Sequence, residues 1–179
     1  IKKNYGFDKL YAEGLSIKSA LDVDYQLHAL SSLRSGIESY DRRHGWRGPI
    51  LNTKLTKNWQ IKLKEKKIDT SLGWKFAEIT DVNDLEIVFK IINEELQGKI
   101  QNINLKWAIK KTIYDSFKIN DIIYVSKNSK KKWELKQYPK VNGAIVAIDP
   151  HNGKVKALVG GFSFESSEFN RTTQAKRQP

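Results

Sequence analysis

The sequence predicts an α+β fold in which a small five-stranded barrel is inserted between an amphipathic helix and a β-hairpin. Three patterns predict it. Leu27, Leu30, Leu33, Ile37 and Tyr40 recur at three- and four-residue spacing, the stripe of one helix face. Five brief β-like runs separated by turn residues follow between positions 72 and 137. An apolar run over 143–149 then meets the cluster Asp149-Pro150-His151-Asn152-Gly153 and returns with alternation over 154–159, which reads as a hairpin.

Taken in order, Leu15 to Leu21 alternate as a short strand with Leu15, Ile17 and Leu21 inward, and Asp22 stands as an N-cap. Arg42, Arg43 and His44 fall in the last helical turn, where positive charge suits the helix dipole. Gly45 sits where a left-handed residue would stop the helix. After Gly48-Pro49, Leu55, Trp59 and Leu63 are spaced for a short helix among Lys54, Lys57, Lys62 and Lys64. The strand runs are Leu72–Thr80, Leu85–Ile92, Lys99–Leu105, Ile119–Ser126 and Lys132–Gln137, with Asp81–Asp84 and Gln97-Gly98 as turns. A helical turn or two over Leu105–Lys111 separates the third run from the fourth. That is the chain order of an OB-type barrel, although pattern alone leaves an SH3-like barrel open. Gly143 to Asp149 reads as a buried strand and Gly160-Gly161 ends the hairpin. Phe164 to Pro179 is polar and irregular, with Phe169 as its anchor.

Composition removes several function classes. The 179 residues carry 32 basic and 20 acidic side chains, a net charge of +12, at 39% hydrophobic, the balance of a globular chain. No apolar run approaches the roughly 18–20 residues that span a bilayer, and no signal segment opens the chain. With no cysteine there is no disulfide framework, thiolate nucleophile or cysteine metal site. The start at Ile1, the lack of methionine and the end at Arg177-Gln178-Pro179 read as an internal piece of a longer chain.

No complete active site is legible. His28, His44 and His151 have no Glu or Cys at ligand spacing, so no metal site is expected. Glu94-Glu95 and the pair Glu165 and Glu168 read as solvated charges rather than an acid/base couple. Gly160-Gly161 leads into no phosphate loop. Ser129-Lys130-Lys131-Lys132 has a serine three residues before a lysine, but in a lysine-rich turn and not on an apolar helix. Trp74, Phe76, Phe89, Trp107, Phe117, Tyr124 and Trp133 lie among many lysines and allow two readings. They stack the bases of a single strand, as in nucleic-acid-binding OB-folds, or they fill the barrel, which is the commoner case. Trp74 and Phe76 share a face with Glu78, which points to partial exposure. The basic surplus is mostly Lys, without the bidentate fork of Arg, and this favours a solvated surface over phosphate recognition.

Three segments carry a family resemblance. Tyr40-Asp41-Arg42-Arg43-His44-Gly45-Trp46-Arg47-Gly48-Pro49 resembles a segment of class A high-molecular-weight penicillin-binding proteins of the 1A type. Gly143-Ala144-Ile145-Val146-Ala147-Ile148-Asp149-Pro150, with Gly153 and Gly160-Gly161, resembles the hairpin of the same family. Phe169-Asn170-Arg171-Thr172-Thr173-Gln174-Ala175, then Arg177-Gln178-Pro179, resembles the stretch that precedes its Ser-x-x-Lys motif. Ser19-Ala20 and Asn120-Asp121 depart from the family pattern, and Asn at 120 tolerates the positive φ usually met there by Gly.

The resemblance implies a bifunctional peptidoglycan synthase, with a glycosyltransferase upstream and a penicillin-sensitive serine transpeptidase downstream. It implies that residues 1–46 are a linker with the first strand and helix of the transpeptidase domain. Residues 47–139 would be an inserted OB-like domain, and residues 140–179 the hairpin and the lead to the nucleophile. No catalytic residue is expected in the chain, the serine falling just after Pro179; Phe169, Asn170, Arg171, Gln174, Ala175, Arg177, Gln178 and Pro179 would lead to it. Tyr40, Asp41, Arg42, Arg43, His44, Gly45, Trp46, Gly48 and Pro49 would form a structural motif. No cofactor is expected here, a divalent metal being allowed only for the upstream glycosyltransferase. The implied partners are peptidoglycan and its lipid-linked precursor, with a cell-wall regulatory protein at the OB-like module and penicillin only at the downstream part. The implied location is the periplasmic face of a bacterial inner membrane. The rival reading is a basic OB module that binds single-stranded nucleic acid.

Overall fold

The structure, a computed structural model, describes residues 18–66 and 68–176. The expected strand at 15–21 lies partly outside them, and Lys18 to Leu21 form no strand. Only the Asp22 N–H reaches the hairpin, donating to the Lys156 carbonyl at 2.9 Å. Helix α1, Val23–Arg43, starts where the Asp22 carboxylate accepts from the Asp24 and Tyr25 N–H groups. It stops at Gly45, whose φ of 80° only glycine adopts cheaply and whose N–H donates to the Arg42 carbonyl. Of the predicted stripe, Leu33 and Ile37 are buried and Leu30 half-buried, while Leu27 and Tyr40 face solvent.

That buried stripe rests on a hairpin of β7, Ile145–Ile148, and β8, Val155–Val159. The Gln26 side chain acts as an extra rung on β8, donating to the Leu158 carbonyl and accepting from its N–H. One hairpin face packs on α1 and the other is left uncovered by the described residues. Val146 and Ile148 are therefore 42% and 56% exposed, where a buried strand was expected.

The larger sheet is antiparallel, in the order β1-β5-β2-β3-β4 with β6 also paired to β5. Its strands are β1 Leu51–Asn52, β2 Lys75–Val82, β3 Glu86–Ile91, β4 Gln97–Gln101, β5 Asp121–Lys127 and β6 Trp133–Lys136. Alternate residues point inward, so Ile79, Phe89, Ile100, Ile123 and Leu135 form one core with Leu105 and Phe117. β2 starts later than Leu72 because Asp69 caps a 3-10 turn at Thr70–Leu72, which Gly73 ends with φ 62°. The turn after β2 falls at Asn83 to Leu85, since β2 runs to Val82 through a bulge between Ile79 and Asp81. Asn120 has φ 70°, the left-handed conformation expected there. A short helix α2, Trp59–Lys64, begins after Asn58, and Leu55 lies outside it.

Of two local expectations here, one is met in part and one fails. The helical turn expected over Leu105–Lys111 is present as one turn, the Ala108 and Ile109 N–H groups donating to the Leu105 carbonyl. A further segment, α3, Ile113–Ser116, follows where Thr112 and Asp115 form a capping box. Residues 102–104 form a 3-10 turn, and Leu105 and Ala108 plug the barrel end. Gln97-Gly98 is strand and not turn, with Gly98 paired opposite Phe89. A Cβ at Gly98 would lie 2.6 Å from both Phe89 Cζ and Trp133 Nε1. Among the described residues no ladder joins β4 to β6, so the sheet is not a closed barrel. The gap is spanned by the Trp133 ring, which stands edge-on to Phe89 at 5.6 Å over the bare glycine.

This seam predicts opposite effects for two glycine substitutions. Gly98→Ala forces rigid rings apart and lowers stability by about 1–3 kcal/mol. Gly36→Ala, in the exposed middle of α1 with open space around it, raises stability by about 0.5–1 kcal/mol. Thermal unfolding of both variants reads the two signs directly.

Candidate functional site: a buried carboxylate where the barrel leaves and rejoins the chain

Asp41 is 3% exposed near the C-terminal end of α1 and collects donors from both sides of the barrel insertion. Arg47, just past the helix, donates from Nη1 to Oδ1 and from Nη2 to Oδ2, each at 2.9 Å. Gln137 Nε2 donates to Oδ2 at 2.7 Å and the Lys140 N–H to Oδ1 at 3.1 Å. Arg47 also donates to the Tyr138 carbonyl, and Gln137 to the Gly45 carbonyl. One carboxylate thus ties residue 47, where the chain departs for the barrel, to 137–140, where it returns. Burial raises the Asp41 pKa, but Arg47, Gln137 and the Lys140 N–H outweigh it and hold the carboxyl below its ordinary value.

The surrounding motif residues pack around this node. Arg42 donates to the Leu135 carbonyl and lies 5.3 Å from the Trp107 ring centre. Trp46 is buried between Trp107 and Phe117, and its Nε1 has no partner among the described residues. Arg43 stacks over Tyr40, while His44 Nδ1 lies 3.0 Å from the Tyr40 carbonyl. Gly48 has φ 101° and lets the chain turn into β1 past Pro49. Sequence reasoning quoted Arg47 within this motif without singling it out, and it missed Gln137. The signal was the Asp41-to-Arg47 spacing across a helix end, where a fork-shaped donor can fold back on a carboxylate.

A second node joins the helix to the base of the barrel. Arg34 donates to the Phe162 carbonyl at 2.9 Å, to Ser71 Oγ at 2.7 Å and to Asp69 at 3.4 Å. Burial raises the Asp69 pKa, and the Ser163 and Ser71 side chains, the Ser71 N–H and Arg34 bring it below normal. Trp74, 7% exposed, packs here with Leu33, Ile37, Phe162, Tyr124 and Tyr138, and so is not the partly exposed ring expected. Burial, then the neighbouring Tyr138, pushes the Tyr124 phenol up to about 12. Phe89 and Phe117 lie in the barrel interior, and Trp107 and Trp133 are half-buried against it.

The third motif docks on the end of the hairpin. Arg171 N–H donates to the Gly160 carbonyl at 3.0 Å, and a Cβ at Gly160 would lie 2.9 Å from Asn170 Cα. Asn170 closes its own turn by accepting from Thr172 and, through its backbone carbonyl, from the Gln174 N–H. Gln174 returns the bond by accepting from the Asn170 N–H at 2.7 Å. Phe169 is 47% exposed beneath Arg171 and so does not anchor the segment, which is held instead by the Arg171 bond to Gly160 and the paired Asn170 and Gln174. Ala175 follows at its edge, and Arg177, Gln178 and Pro179 lie outside the described residues. Across the described residues, no cluster of three or more His, Asp or Glu could hold a metal. No described helix is long and apolar enough to cross a membrane.

Residues 46–141 match the family model for the penicillin-binding protein OB-like domain. The chain belongs to the penicillin-binding proteins that carry this domain, and within them to the class A, 1A type. It is 39% identical over 175 residues to penicillin-binding protein 1A of Rickettsia prowazekii, covering 96% of the chain and 22% of that relative. It is 30% identical over 190 residues to penicillin-binding protein 1A of Escherichia coli, covering 97% of the chain and 22% of that relative. The crystal structure of penicillin-binding protein 1A from Haemophilus influenzae superposes with a TM-score of 0.76 at 25% identity, over 97% of this chain and 26% of that one. The chain thus spans about a fifth of the length of the relatives it matches.

The lowered Asp41 pKa fixes the sign of its pH dependence. A carboxylate held below its unfolded value of about 3.9 stabilises fully above that pH and loses this contribution as pH falls through the folded value. Asp41→Asn therefore costs about 1.5–3 kcal/mol at neutral pH, a charge-assisted bond's worth. The gap to wild type shrinks below about pH 4, as chemical denaturation across pH will read. The variant retains the acid sensitivity of Asp69.

Proposed function

We propose that the chain is the non-catalytic framework of a bifunctional peptidoglycan synthase, and that its described residues aim the start of a serine-bearing segment. In this reading residues 1–46 are a linker with the first strand and helix of the transpeptidase domain, 47–139 the inserted OB-like module, and 140–179 the transpeptidase hairpin and the lead to the nucleophile. The observation that carries it is the docking of Asn170 and Arg171 on Gly160, which fixes the direction of the chain at 169–176. The serine lies two residues past Pro179. Its hydroxyl attacks the D-Ala-D-Ala carbonyl, D-Ala leaves, and an amine of a second stem peptide takes the acyl group from the serine. Phe169, Asn170, Arg171, Gln174 and Ala175, with Arg177, Gln178 and Pro179 beyond, position that hydroxyl without touching substrate.

The OB-like module serves contact with a cell-wall regulatory protein or the wall itself, and it sets the spacing of the two catalytic domains. The whole protein works on peptidoglycan and its lipid-linked precursor at the periplasmic face of the inner membrane, with any divalent metal confined to the glycosyltransferase. The interior placement of Phe89 and Phe117 supports barrel filling over strand stacking, which weakens the nucleic-acid reading.

Intact mass after incubation with penicillin tests the proposal on this chain and on a chain continued through the rest of its gene. The expected adduct forms on the longer chain alone, and an adduct on the short chain overturns the assignment. In the longer chain, Gly160→Ala should slow acylation about 10–100-fold by displacing Asn170, with the barrel still folded. An unchanged acylation rate contradicts the positioning role.

A further inference from the structure

Like Lys127–Lys136, the segment from Lys54 to Lys67 is one of the dense lysine stretches of the chain. It holds six lysines against one acid, Glu65, and so concentrates five of the twelve net positive charges in fourteen of 179 residues. Among the described residues, Lys75, Lys90, Lys99 and Lys136 form ion pairs, while Lys54, Lys57, Lys62, Lys64 and Lys66, like most other lysines of the chain, do not. Between these free cations stand two bare aliphatic side chains, Leu55 at 83% and Ile61 at 61% exposure.

Their exposure is built into the backbone. Leu55 sits on an Asx turn in which the Asn52 side chain accepts from the Lys54 and Leu55 N–H groups, and the Thr56 N–H closes onto the Asn52 carbonyl. In α2, Leu63 is the buried residue, and Ile61 lies two positions away, about 200° around the helix. Neither aliphatic can turn inward without unmaking its element. Ile119, 51% exposed, adjoins the same turn, its carbonyl accepting from Asn52 Nδ2 at 3.2 Å.

We propose that this lobe is a contact site for an anionic lipid surface, with Leu55 and Ile61 entering the acyl boundary and the lysines seated at the headgroups. Exposed aliphatics within a ring of unpaired lysines are what interfacial binding needs. A soluble polyanion would satisfy the charges but leave Leu55 and Ile61 in water. Each lysine near an anionic surface multiplies partitioning about fivefold, and each inserted aliphatic about tenfold or more. The inference goes beyond the synthase reading and rests on it only for the setting beside a membrane. Vesicle binding needs no penicillin chemistry, so the two proposals fail separately.

The test is flotation of the 179-residue chain with vesicles of phosphatidylglycerol and phosphatidylethanolamine, and with vesicles of phosphatidylcholine alone. The chain should float with the first and bind the second at least tenfold more weakly. Leu55→Ser with Ile61→Ser should reduce anionic binding about a hundredfold. Lys57→Gln with Lys62→Gln should reduce it about twentyfold and flatten its salt dependence. All four side chains are exposed, so both double variants should melt as wild type does. No flotation, equal binding to neutral vesicles, or a serine pair that binds like wild type overturns the proposal. The last of these, with displacement by single-stranded DNA, would identify a general polyanion surface instead.

Discussion

The bidentate pair between Asp41 and Arg47 is the constraint on which the rest of this structure depends. About ninety residues of barrel separate Arg47 from Gln137 and Lys140, yet all three meet at one buried carboxylate. A buried ion pair adds little net stability compared with apolar packing, because desolvation offsets most of the attraction. Removing one partner is costly, however, since the other is left without its match. Such a node specifies one geometry rather than adding much stability to it. Here it fixes the direction of a barrel relative to the helix and hairpin from which it grows.

Packing follows from that geometry. With the two irregular segments that form the neck of the insertion, 44–50 and 137–144, held at Asp41, Trp74, Tyr124 and Tyr138 of the barrel side come against Leu33, Ile37 and Phe162 of the helix and hairpin side. Arg34 then spans the same seam with donors to Phe162 and to the capped turn at Asp69 and Ser71. Two polar nodes bracket one aromatic seam, and neither half can rotate without breaking charged bonds. The Asn170 segment lies on the far end of the hairpin and inherits this alignment through β8.

Much of this was legible because local chemistry agreed with the fold. The α1 stripe, its Asp22 cap and Gly45 stop, and the Asp149 to Gly153 turn each carried a local signal that tertiary packing had no cause to override. Gly98 misled because a glycine after a glutamine reads as a turn, whereas its need is room for Trp133 from a strand far along the sequence. The helical turn at Leu105 was legible, but α3 was not, because its start depends on the capping pair Thr112 and Asp115 and it is only one turn long. Phe162 carries no signal in the sequence because only the fold brings Trp74 and Tyr138 against it. Arg47 and Gln137 escaped notice as a pair because no local pattern spans ninety residues. Motif resemblance located the node without explaining it.

The most direct measurement is native-state hydrogen exchange on wild type and on Arg47→Met. If Asp41 with Arg47 fixes the neck, amides over residues 38–47 and 135–145 lose protection together, while those of Ile79, Phe89 and Ile123 in the barrel core stay protected as in wild type. Equal loss across neck and barrel, or no loss at the neck, would contradict the central place given to this pair.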